Sequence, residues 1–167
     1  MAYGPGRSRF LQGTLIGAGV WVAAALVYVA LLVFAFGVVE PGEFEPTFVL
    51  IYPLIVVWFV LLAVFPNDSV IILLVIGSLS SLFLTAAGAL AVSRIDAIEG
   101  AWDAFKVGAS IAIGHALVTV LAFSTLEAGI YTSEPAFRTF ALAFGGFVVP
   151  AAFGAVGGVL YWRFERQ

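Results

Sequence analysis

The residue best equipped for chemistry is His115, within the apolar run VGASIAIGHALVTVLAFSTL (107–126). It is the chain's single histidine. An imidazole changes charge near neutral pH, and a readily charged side chain deep in an apolar helix is a functional candidate by default. Thr119 stands one helical turn further along the same face. Ser81 and Thr85, four residues apart in an earlier apolar run, supply two more hydroxyls. A proton relay or a cation path over His115, Thr119, Ser81 and Thr85 is one reading of this set. The other is packing: a neutral imidazole hydrogen-bonded across to a serine or threonine of that earlier run. No carboxylate stands inside an apolar run to pair with His115, and a coupled proton carrier would need one.

Other chemistries lack their parts. With no cysteine, one histidine and one methionine, thiolate chemistry and a histidine-based or methionine-rich metal site have no ligands. The glycine-rich stretches lack the strand context and the Lys-Ser/Thr of a phosphate loop. His115 and the serines do not show the spacing of a nucleophile–base pair. The sequence thus predicts no catalytic residue, no metal, no cofactor and no enzymatic activity.

A second pattern, in GGFVVPAAFGAVGG, concerns packing. Gly146, Pro150, Gly154 and Gly158 recur every four residues, so on a helix they stack on one face as a seam with almost no side chain. Pro150 lacks an N–H and frees the carbonyl one turn earlier, at Gly146. Inside a membrane that carbonyl needs a donor from a neighbouring helix, a hydroxyl or water. A kinked packing helix and a broken helix that lines a cavity or hinges are both consistent with this.

The elements that would position these residues follow from composition. Of 167 residues, 63% are hydrophobic and 10% charged, with a mean hydropathy of +1.14. A soluble domain carries about 25% charged residues, so the expected solvent for most side chains is lipid. The fold class expected is all-α: an integral membrane helical bundle with five transmembrane helices and one short interfacial amphipathic helix, in a single domain covering 1–167. The spans fall at about 10–39, 48–65, 70–93, 107–126 and 139–162. Between the third and fourth, RIDAIEGAWDAFK (94–106) places Ile95, Ile98, Trp102 and Phe105 at helical spacing against acids and Lys106. It reads as a helix lying along the membrane surface, or as an extension of its neighbours. The glutamate-rich VEPGEFEPT and the stretch EAGIYTSEPAFR read as loops, and FPNDS as a tight turn.

Small residues at steps of four also mark the first span (Gly13, Gly17), the third (Gly77, Ser81, Thr85, Ala89) and the fourth (Gly108 with Ala112, Ser110 with Gly114). Helices in lipid associate through such close contacts. Spans one, three, four and five are therefore expected to form the core. Span two, without a seam, would face lipid, a second copy or another membrane protein. Five spans put the chain ends on opposite sides. Arg7 and Arg9 against an acidic first loop put the N-terminus in the cytoplasm. The net charge of −3 gives no basic surface for nucleic acid. Lys106 is the single lysine, and acidic loops with so little lysine suit a host with high internal salt, although few residues are exposed to set that balance.

The stretches RFLQGTLIGAGVWVAAALVYVALL, GAWDAFKVGASIAIGHALV and FGGFVVPAAFGAVGGVL resemble small multi-pass membrane proteins of haloarchaea. Those are mostly uncharacterised, and some carry a transporter-like label. The resemblance implies a membrane location and a halophilic archaeal host, and it brings no site residues with it. Two functions are expected from these readings: a small transporter or channel-like protein in the cell membrane, or a non-catalytic scaffold or subunit of a larger membrane complex.

Overall fold

The structure is a computed structural model that describes residues 5–35, 71–95, 98–125 and 139–165. All regular elements among them are helical. Helix α1 spans Pro5–Ala30 and continues as a π-helical stretch over Leu31–Ala35. Helix α2 spans Ile71–Ser93, α3 Ala101–Ala109 and α4 Ile111–Thr125. A second π-helical stretch, Ala141–Val148, leads into α5, Val149–Glu165. The span expected at 48–65 and the loops expected at 39–47 and 127–138 lie outside the described residues.

The long helices form a ring in which α1 packs on α4, α4 on the π stretch before α5, α5 on α2, and α2 back on α1. The glycine contacts give their directions. Gly13 faces Ser110 and Gly17 faces Ile111, so α1 and α4 run parallel. Gly88 faces Gly154, and Val92 faces Gly158, so α2 and α5 also run parallel. Leu90 and Arg94 of α2 wall a groove with Gln12, Leu15 and Ile16 of α1, so these two helices are antiparallel. Residues 9–12, 92–95, 98–106 and 161–165 consequently share one end of the bundle, tied there by an Arg9–Asp103 ion pair of 3.2 Å.

Leu31, at the start of the π stretch after α1, and Leu79 of α2 line one small cavity at the opposite end. Residue 35 and residue 71 therefore lie at the same end, and the beginning of α1 shares the other end with the close of α5. The count of five spans is not supported by the described residues. Among the described residues three helical stretches are long and apolar enough to cross a membrane: Arg9–Ala30, Ala101–Thr125 and Leu142–Glu165. A shorter apolar stretch is Gly77–Ser93 of α2. These helices are compatible with a membrane location.

The segment expected as one interfacial helix over 94–106 divides instead. Residues 98–100 are not helical, and α3 begins only after Gly100, whose backbone is extended. From Ala101 the chain is helical to Thr125 apart from a tightened turn at Ser110. There the Ser110 N–H reaches both the Lys106 and Val107 carbonyls at 3.1 Å, and its hydroxyl donates to Val107 O at 2.6 Å. Ile98 is buried, but Trp102 is 65% exposed and Phe105 41% exposed, while Ala104, Val107 and Gly108 are buried. The cause is the nearness of α5: Gly158 lies against the Ala104 carbonyl and Gly154 against that of Gly108. Only small residues fit at such a contact, so the aromatic rings turn outward. Trp102 and Phe105 then stack at 5.0 Å between centroids, with the Lys106 ammonium 5.4 Å over the Trp102 ring.

Burial is distributed as a lipid solvent would have it. Ser80, Ser81, Ser110, His115 and Thr119 are buried, together with most of the close-contact glycines. Leu11, Leu15, Leu26, Phe34, Leu82, Leu121 and Phe164 are each at least 60% exposed. A water-soluble domain of this size rarely exposes so much contiguous apolar surface.

Candidate functional site: the His115–Gly146 contact

His115 lies one turn into α4, on the face toward the π stretch that precedes α5, and its side chain is fully buried. The reason for its position begins with Pro150. An α-helical bond to the Gly146 carbonyl would come from the N–H of residue 150, and proline has none. Just before it, the Val149 N–H reaches five residues back to Phe144 O, a π-type bond. The helix therefore changes register next to its proline, and the Gly146 carbonyl turns to the neighbouring helix. His115 Nδ1 lies 3.0 Å from that oxygen. A carbonyl only accepts, so Nδ1 carries the proton and donates, which leaves Nε2 with the lone pair in the neutral ring.

Thr119 completes the cluster. Its hydroxyl donates to the His115 carbonyl at 2.8 Å, and its methyl group packs where a Cβ on Gly146 would stand, 3.4 Å away. Gly146 has no side chain to keep α4 away, so the imidazole can reach its carbonyl directly.

The other two hydroxyls of the expected path are placed elsewhere. Ser81 donates to Gly77 O at 2.9 Å and Thr85 to Ser81 O at 2.8 Å, both within α2. α2 and α4 stand diagonally across the ring and scarcely touch. The Thr85 backbone belongs to the α2–α5 contact, where its carbonyl faces Gly157. The structure thus brings His115 and Thr119 together with Gly146 and Pro150, and puts Ser81 and Thr85 on a different helix pair. Among the described residues no cluster of three or more His, Asp or Glu side chains is placed to hold a metal ion.

The seam residues Gly146, Pro150, Gly154 and Gly158 are all buried along one face. Gly154 is its tightest point, with the backbones of Gly88 and Gly108 on either side. Two contact glycines fall outside the steps of four read from the sequence. Gly88 replaces Ala89 as the close-approach point of α2, and Gly157 adds a second face to α5. Their signal was glycine itself, in helices where its low helix propensity calls for a packing reason.

A family model described as a family of unknown function (DUF7978) matches residues 67–164, more than half of the chain. The chain belongs to this family. The DUF7978 match takes in α2 through α5, and so includes His115, Gly146, Pro150 and every close contact between α2 and α5. No curated protein and no solved structure matches the chain. The resemblance to haloarchaeal membrane proteins therefore gains no named relative, and the DUF7978 description assigns no activity to the His115 cluster.

Proposed function

We propose that the protein is an integral membrane protein whose helices form a dry, non-catalytic scaffold, a packing subunit of a larger membrane assembly. The observation that carries this reading is the His115–Gly146 contact. The imidazole is buried, and its Nδ1–H is committed to a carbonyl that Pro150 has orphaned. That is a structural task, complete without a substrate. Two grooves among the described residues open at the end of the bundle that holds Arg9, and neither is lined by His115. In proteoliposomes, proton and cation flux through the purified protein should equal that of empty vesicles. Flux that His115→Ala abolishes would overturn the scaffold reading. One feature favours the second reading, a small transporter or channel: a proline-broken, π-helical stretch beside a buried histidine is a place where a helix can bend. The same measurement decides between them.

Orientation belongs to the same proposal. The exposed Arg94, Lys106 and Arg163, with Arg9, share one end of the bundle, and the opposite helix ends carry no Lys or Arg among the described residues. The excess of basic residues faces the cytoplasm in most membrane proteins. Both the start of α1 and the close of α5 are then cytoplasmic. The chain has no cysteine, so single introduced cysteines report cleanly. On intact cells a membrane-impermeant maleimide should label Ser124→Cys and spare Gly100→Cys. The reverse pattern, or equal labelling of both, would refute this orientation.

A further inference from the structure

Two grooves open at the Arg9 end of the bundle, and their charges differ. One, of about 340 Å³, lies between α2 and α5 and includes Glu165 in its wall. The other, of about 440 Å³, lies between α1 and α2 and is lined by Gln12, Leu15, Ile16, Leu90 and Arg94. We propose that this second groove seats one anionic phospholipid, with the phosphate on Arg94 and Gln12 and an acyl chain along Leu15, Ile16 and Leu90. The inference rests on the membrane reading above.

Three features argue for that occupant. The first is the order of polarity with depth. Gln12 and Arg94 stand at the outer end, and Leu15, Ile16 and Leu90 lie three to four residues further in on their helices. At 1.5 Å per residue that is about 5–6 Å deeper, the step from headgroup to hydrocarbon. The second is charge. A guanidinium presents a rigid fork of donors that fits a phosphate, and the Gln12 amide adds donors beside it. The single ion pair among the described residues joins Arg9 to Asp103 and leaves Arg94 out. The third is access. Leu15 is 64% and Leu90 42% exposed, so the groove opens on the lipid-facing side of the ring. A free phosphate would satisfy Arg94 but leave the three apolar residues unused. Basic pockets between membrane helices on the cytoplasmic side are known places for anionic headgroups.

The test uses the full chain, extracted from membranes in mild detergent and incubated with phosphatidylglycerol or phosphatidylcholine before native mass measurement. A requirement for detergent extraction checks the membrane reading separately. The wild type should retain phosphatidylglycerol several-fold over phosphatidylcholine. Arg94→Gln should lower that retention about ten-fold, and Leu15→Trp, which fills the groove and leaves Arg94 in place, should lower it too. Excess inorganic phosphate should not displace the adduct. Equal retention of the two lipids, unchanged retention in both variants, or displacement by phosphate alone would overturn the proposal. Dimers that persist after lipid is stripped and disappear in Leu15→Trp would assign the groove to a second copy of the chain and overturn it as well.

Discussion

Gly154→Leu should prevent the bundle from forming. A Cβ at this position would overlap the Gly108 carbonyl oxygen and stand 2.7 Å from the Ile111 side chain, while Gly88 of α2 presses on the Gly154 backbone from another side. Gly108 and Gly88 present main chain here, which cannot swing away as the Ile111 side chain can. Overpacking of a core costs typically 1–3 kcal/mol and occasionally more, and with backbone on two sides we expect about 3 kcal/mol or above. The measurement is thermal melting in detergent, read together with the yield of monodisperse protein. Gly19→Leu is the matched control, because a Cβ at Gly19 meets nothing within 4 Å. Indistinguishable melting of the two variants would disprove the contact argument.

The second large effect concerns the His115–Gly146 bond and is best measured as a double-mutant cycle. His115→Ala removes the donor and leaves a buried carbonyl without its partner. An unsatisfied buried group costs about 1–3 kcal/mol, and hydrogen bonds between membrane helices average about 0.6 kcal/mol with a maximum near 1.7. We therefore expect a loss of about 1–2 kcal/mol beyond the cavity left by the ring. Pro150→Ala restores an N–H that an α-helical register directs at the Gly146 carbonyl. In that background His115→Ala should cost about 1 kcal/mol less. The cavity contribution is common to both arms and cancels. An identical cost with and without Pro150 would show that His115 does not serve the proline break.

The two halves of this contact were legible in the sequence, but not their pairing. Pro150 alone implied an acceptor at Gly146 in search of a donor. His115 alone implies a donor in search of an acceptor, with a serine or threonine of the third apolar run as the expected partner. Which helix stands next to which depends on contacts between residues far apart in sequence, and no local pattern carries that. The same gap explains the topology. Each helix was visible from its apolar run, yet whether α1 and α2 run parallel or antiparallel rests on how α1 seats on α4 through Gly13, Gly17 and Gly114. The division of apolar residues around α3 was hidden for a related reason. Periodicity groups Ile98, Trp102 and Phe105 on one face, but which residues meet the bundle is set by the close approach of α5, which admits Ala104 and Gly108. The break at Ser110, where α3 turns into α4, follows Gly108, a glycine that the close approach of α5 already explains.

The contact of Gly88 with Gly154 and Gly108 has a thermodynamic consequence. Most protein interfaces freeze side-chain rotamers when they form, at up to about 2 kcal/mol for the longest side chains. Glycine has no rotamers to lose. Within a helix already formed, its backbone freedom is gone before the helices meet. The α2–α5 junction therefore assembles with almost no further loss of conformational entropy, and its main-chain atoms lie close enough for Cα–H···O contacts to contribute. Its strength should accordingly vary little with temperature, and heating should loosen the bundle first where bulky side chains are packed, as around the buried Trp21 and Tyr28 of α1.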